Sequence, residues 1–167
     1  INDFRTVSTF VYGYQDRFRA LPGDDRDAIN HVSASANAST PTSGTGSSAA
    51  AQIGNGRING AWNTTTQTDE SYLFWEQVRR AGLASGNPTP GGTGYLYTNA
   101  DGGRVGITGD NVYTGSSSTN PYSASFFVCS AGIQGRYARQ IDTTIDDGNT
   151  TTGSVRVLGE GEVQSTA

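Results

Sequence analysis

Two acidic clusters stand out by residue type and spacing: Asp24, Asp25 and Asp27 near one end of the chain, and Asp146, Asp147 and Asn149 near the other. Carboxylates crowded in a loop can supply several of the about six to eight oxygens that calcium takes. Asp and Asn at this spacing also close turns on their own backbone. For Asp146–Asn149 that turn chemistry accounts for the residues without an ion, so a metal-free turn is expected there. Gly54-Asn55-Gly56-Arg57-Ile58 imitates the middle of an EF-hand loop. Counting outward puts Ala51 and Ile53 at the first ligand positions and Trp62 where the bidentate acid belongs, so the motif fails.

The other candidates for chemistry are single residues. His31 is the only histidine, and without a second one a zinc site or a nucleophile–base pair lacks its usual members. It reads as an ordinary surface residue. Cys129 is the only cysteine, which excludes an internal disulfide. Its place in the run Phe126-Phe127-Val128-Cys129 suits an inert, buried small hydrophobe. No Gly-x-Ser-x-Gly, P-loop or dinucleotide fingerprint occurs in a strand–turn–helix setting. No catalytic, cofactor-binding or metal-ligating residue is assigned, and an enzyme is not expected.

Charge narrows the partners. The 167 residues carry 11 basic side chains, all arginine, against 15 acidic ones, for a net charge of −4. Arg79-Arg80 is the only basic doublet and suits a salt-bridged helix face better than a phosphate grip, so no nucleic-acid partner is expected. Asn37-Ala38-Ser39, Asn63-Thr64-Thr65 and Asn149-Thr150-Thr151 fit the glycosylation triplet, at the frequency chance gives in so Asn/Ser/Thr-rich a chain. Tyr12, Tyr14, Tyr72, Trp75, Tyr95 and Tyr97 could form a glycan-stacking surface. Their positions on helices and strands favour core contacts instead.

These residues need a scaffold, and the apolar spacing predicts one. Phe4, Val7, Val11, Tyr14, Phe18 and Leu21 repeat at alternating intervals of three and four, the mark of a helix with one narrow apolar seam. It is expected from Ile1 to about Ala20, stopped by Pro22 and turned by Gly23. The seam reaches the first residue with no capping residue or initiator Met ahead, so the polypeptide is expected to continue upstream as the same helix. Asp24–Ile29 is expected to form one helical turn. A second helix is expected from a Thr68 or Asp69 cap through Phe74, Val78 and Ala81, with Glu70 in its first turn. Arg79 and Arg80 would close its last turn, Gly82 would end it, and Leu83 would pack back. Short strands are expected at Tyr95–Tyr97, Arg104–Ile107, Ser125–Cys129 and Ser154–Val157, and a last short helix at Gly135–Ile141. Turns would fall at Asn99–Gly103, Gly109–Asn111 and Asp146–Asn149. Residues 33–52, without apolar period, read as a mobile surface loop inside one domain spanning 1–167. No stretch is long and apolar enough to span a bilayer. The pattern sums to an α+β fold: a long N-terminal helix packed on a small antiparallel sheet, a second short helix, and long Gly/Ser/Thr loops.

Three blocks of residues, in order, resemble type IV pilins and type II secretion pseudopilins. They are the Tyr/Phe-rich helix ending in Leu21-Pro22-Gly23-Asp24, then Gly54–Ile58 with Glu70, Trp75 and Ala81-Gly82-Leu83, then Ile145-Asp146-Asp147-Gly148-Asn149 with Gly153–Arg156. The resemblance implies the soluble headpiece of a prepilin-type protein. Its upstream half-helix, about 25 residues and long enough to span a bilayer core, would be both membrane anchor and polymerisation stem. It further implies a structural subunit of a pilus or pseudopilus filament, with copies of itself and other pilin-like subunits as partners. Such a subunit would sit in the inner membrane before assembly, then in a periplasmic or extracellular filament. The lone Cys129 departs from the many pilins that close a C-terminal loop with a disulfide. A monomeric extracellular module binding glycan or calcium is the alternative.

Overall fold

The computed structural model describes residues 1–35, 53–110, 112 and 124–158. Among them the chain runs α1 (Asn2–Phe18), α2 (Ala28–Val32), α3 (Glu70–Arg80), β1 (Val105–Thr108), β2 (Phe127–Ser130) and α4 (Gly135–Ile145). It is a mixed α+β fold with an N-terminal helix and a small two-stranded antiparallel sheet.

The seam of α1 is turned inward. Val7, Val11 and Tyr14 are buried, while Phe4, Phe18 and Leu21 are half-buried. Helix α1 packs on β2 and on α3, so the sheet does not cover the seam alone. The helix also ends earlier than Pro22 would require. Arg19 takes the left-handed conformation at φ 58° and donates its amide to the Gln15 carbonyl at 2.9 Å. A non-glycine residue in that region carries no sequence signature, which is why the end was expected near Ala20.

Helix α3 is the centre of the molecule. Every residue from Glu70 to Arg79 is buried, where periodicity had pointed to a single stripe of Phe74, Val78 and Ala81. One side meets α1, another meets β1, and a third meets α2. Phe74, Trp75 and Val78 join Val7, Val11, Ile58, Tyr95, Val105 and Ile107 in the main core. Its C-terminal end forms as expected. Gly82 (φ 74°) donates to Arg79 and Leu83 donates to Val78, both at 3.0 Å, the paired bonds of a Schellman cap. At the other end Asp69 is the cap residue, without a side-chain capping bond.

The two strands pair antiparallel from Val105↔Ser130 to Thr108↔Phe127. Gly106 lies in β1 because a Cβ there would strike the Trp62 carbonyl. Two expected strands are absent. Tyr95–Tyr97 turns on itself, Tyr95 donating to the Gly92 carbonyl, and the segment contributes only the bridge Thr98↔Arg104. Ser154–Val157 forms no strand among the described residues: the amides of Ser154 and Val155 go to Asp146, and that of Val157 goes to the Thr150 carbonyl. The Asn99–Gly103 turn forms as expected, with Asn99 Oδ1 accepting the amides of Asp101 and Gly103. Helix α4 runs one turn beyond Ile141. Thr143 and Thr144 donate their hydroxyls to carbonyls four residues back, an arrangement that lets threonine stay helical. The helical turn expected at Asp24–Ile29 lies later, at Ala28–Val32, because both early aspartates are used in tertiary bonds.

Of the loop expected at 33–52, Ala34 is buried and Ser35 is pinned by Glu76, while 36–52 fall outside the described residues. The turn expected at Gly109–Asn111 is described only in part, since Asn111 also falls outside the described residues. Among the described residues, no helix is long and apolar enough to cross a membrane.

Candidate functional site

Three polar clusters are built into this frame. The first joins two of the motif blocks. The Asp24 carboxylate accepts the amides of Gly54, Asn55 (3.2 Å) and Gly56 (2.7 Å). Three backbone N–H groups converging on one anion need no ion to complete them. The preceding Gly23 has φ 95° and donates its amide to Gln77 Oε1 at 2.6 Å. A Cβ at Gly23 would stand 2.5 Å from the Glu70 carbonyl oxygen, so only glycine brings the turn this close to α3.

Glu70 lies beside that turn and is fully buried. Its Oε2 accepts the Asn59 amide at 2.8 Å, and its Oε1 has no hydrogen-bond partner among the described residues. Burial pushes its pKa up to about 8, the Asn59 amide opposes the shift, and the charges of Asp24, Asp110 and Asp69 add to it. Burial also raises Asp24 and Asp69, against the amides and the Thr64 hydroxyl that stabilise their ionised forms. Asp110 is held by the Gly60 amide at 2.8 Å. The arrangement locks the turn after α1, the 53–60 loop and α3 together around a buried acid.

The second cluster places His31. It is not an ordinary surface side chain. Its Nδ1 lies 2.7 Å from Asp25 Oδ2, which also accepts the Tyr14 hydroxyl at 2.6 Å, and its ring stacks on Phe18. Its Nε2 faces Asp27 at 3.8 Å. Tyr14 is raised by burial and by its bond to Asp25. The result ties α2 to α1.

The third cluster sits at the end of α4. Asp142 has little exposed surface, and neither carboxylate oxygen has a hydrogen-bond partner among the described residues. One oxygen from each of Asp142, Asp146 and Asp147 lies within 4.8 Å of the other two. Asp146 Oδ2 accepts the amides of Ser154 (2.5 Å) and Val155 (2.9 Å). Asp147 accepts the Asn149 amide and the Thr152 hydroxyl, each at 2.8 Å. The turn read from sequence is therefore present. Asp142, which sequence spacing did not connect to it, comes from one helical turn earlier, since a residue four back lies on the same helix face.

The remaining candidates resolve into structural roles. Arg80 pairs with the buried Glu76 at 2.8 Å, as the salt-bridge reading of the doublet expects. Arg79 instead turns inward and donates to the carbonyls of Ser85, Asn87 and Tyr95 while lying over Trp75 and Tyr95. Cys129 is half-buried in β2, and desolvation pushes its thiol up to about 12. Tyr14, Tyr72, Trp75 and Tyr95 are core residues, Tyr97 stacks on Trp75, and Tyr12 is exposed. Of the glycosylation triplets, Asn63 and Asn149 are exposed and Asn37 lies outside the described residues.

No protein-family model matches the chain, and no curated protein or solved structure matches it either. Function has to be argued from the clusters and surfaces themselves.

Proposed function

We propose that the chain is the headpiece of a pilin-like structural subunit, polymerised into a type IV pilus or secretion pseudopilus through an apolar helix encoded upstream. The observation that carries this reading is the division of α1 into two faces. Val7, Val11 and Tyr14 hold the helix to α3 and β2, while Arg5, Thr9, Tyr12 and Asp16 stay exposed along its outer side. A filament subunit needs such a helix, anchored to its own head on one side and free for neighbours on the other. The interlocking of Asp24 with Gly54–Gly56 also supports the reading, because it joins two of the three blocks that carry the resemblance.

In this reading the subunit sits in the inner membrane before assembly and in a periplasmic or extracellular filament afterwards. Its partners are copies of itself and related subunits. The test has two parts. The upstream gene sequence is expected to encode a short basic leader, then Phe-Thr-Leu-Ile-Glu and an apolar helix. Antibodies to the headpiece are expected to detect it in sheared surface filaments, and no longer once that helix is deleted. An upstream sequence without an apolar helix, or a chain found only as a free monomer, removes the reading. The second reading, an extracellular calcium- or glycan-binding module, draws on the carboxylates at the end of α4.

A further inference from the structure

We propose that Asn55-Gly56 is a self-modification site, where the Asn55 side chain closes on the Gly56 nitrogen to a succinimide that opens to aspartate or isoaspartate. Asn-Gly occurs twice in the chain, at 55–56 and 59–60, so residue type does not separate the two. Glycine in second place leaves the nitrogen open to approach, because no Cβ shields it. What surrounds each dipeptide is different.

At Asn55 the parts of the reaction are assembled. The Gly56 amide donates to Asp24 Oδ2 at 2.7 Å, so a carboxylate stands ready to take its proton as the nitrogen attacks Asn55 Cγ. Burial raises the Asp24 pKa against the amides it accepts, which strengthens it as a base. The Arg57 amide donates to Asn55 Oδ1 at 2.8 Å, where it stabilises the charge that this oxygen gains. Asn55 is exposed, and a Cβ on Gly56 would meet nothing within 4 Å, so water reaches the site. The N–Cγ bond forms, the Cγ–Nδ2 bond breaks, and ammonia departs with the proton. Water then opens the ring at Cγ to leave aspartate, or at the main-chain carbon to leave isoaspartate. Asn59-Gly60 also has a carboxylate, Asp110, 2.8 Å from the Gly60 nitrogen, but its peptide is clamped. The Asn59 carbonyl accepts the Ser71 amide at 3.1 Å, and the Gly60 carbonyl accepts the Thr108 hydroxyl at 2.7 Å. Gly60 is buried against Asp69 and Ser71, and Asn59 Oδ1 accepts the Asn55 side-chain nitrogen rather than a backbone amide. Either product at 55 loosens the 53–60 loop. Aspartate adds a negative charge beside Asp24, and isoaspartate lengthens the backbone between two of the amides that converge on it.

The test is to age the folded chain near neutral pH, digest it with trypsin, and follow the exchange of an amide NH2 for OH by mass spectrometry. Cleavage after Arg57 puts the two sites on separate peptides. Asn55 is expected to convert at least about tenfold faster than Asn59, and faster in the folded chain than in urea, where base and nucleophile are no longer held together. Asp24→Asn is expected to slow conversion at Asn55 about tenfold through loss of the base, whereas loosening of the loop alone would speed it. Comparable rates at the two sites overturn the proposal. So does an Asn55 rate no higher folded than in urea, or a folded Asp24→Asn chain that converts as fast as the parent. The first two comparisons use the parent chain alone and decide the matter if Asp24→Asn does not fold.

Discussion

Replacing Glu70 with glutamine should change how the stability of this protein depends on pH. The carboxyl group is fully buried, and its pKa rises from the ordinary 4.5 to about 8. An acid whose pKa is higher in the folded state holds its proton there while the unfolded chain has lost it. Stability is therefore greatest below the unfolded value, falls as pH rises through the window from 4.5 to about 8, and levels off above it. Those values lie about 3.5 pH units apart, and at about 1.36 kcal/mol per unit the ceiling is about 5 kcal/mol. Water entry and relaxation around the charge lower this, so about 2 kcal/mol between pH 5.5 and 7.5 is the expected loss. Glutamine keeps an oxygen for the Asn59 amide and carries no proton to lose. Urea unfolding followed by tryptophan fluorescence measures both proteins across that range. The variant is expected to match the parent near pH 5.5, to exceed it near pH 7.5, and to lose most of the slope. A variant that keeps the full slope would refute the assignment and move the proton to another member of the cluster, Asp24 or Asp69.

Further perturbations test other joints of the same frame. Val11→Asp buries an unpaired carboxylate in the α1 seam and should cost about 4 kcal/mol or more, enough to unfold the headpiece, whereas Gln15→Asp should melt near the parent temperature; equal melting temperatures would mean that α1 is not packed on its seam. Gly23→Ala forces a Cβ against the Glu70 carbonyl at a left-handed position and should lower stability by about 3 kcal/mol in urea unfolding. The Cys129 thiol, pushed up to about 12, should react with a thiol reagent at pH 8 only slowly until denaturant is added. Without an upstream stem the headpiece should remain monomeric at low micromolar concentration by light scattering, and a stable ring or dimer would favour the binding-module reading.

What the sequence made legible was governed by local rules. The seam of α1, the Schellman end of α3 and the Asn99 turn depend on residues within one or two helical turns of each other, and all three formed as read. The errors came from distant partners. Arg19 ends α1 in a conformation its side chain does not advertise. Tyr95–Tyr97 and Ser154–Val157 have strand composition, yet among the described residues neither joins the β1–β2 sheet as a strand. The burial of Glu70, Glu76, Gln77 and Arg79 could not be read from α3, because each is satisfied or constrained by residues that arrive from elsewhere in the chain. His31 shows the same limit. Its type suggested nothing alone, and only folding brings it to Asp25 and Phe18. Asp142 was legible in part, since a count of four back from Asp146 on a helix would have found it once the helix was extended past Ile141.

The motif residues also constrain where function can reside. Asp24 is occupied by backbone amides, Gly23 by the approach to α3, and Gly82 with Leu83 by the end of that helix. A side chain committed to holding the fold has little freedom to meet a partner, so these residues describe architecture. Among the described residues, the surfaces not so committed include the outer face of α1, with Tyr12 exposed, and the end of α4, with Asp147 exposed. These two surfaces answer separate questions. The α1 face bears on whether neighbouring subunits pack along the helix, and substitutions there should alter assembly. The α4 end bears on the calcium- or glycan-binding reading, which substitutions there would test in the isolated chain, whether or not it ever enters a filament.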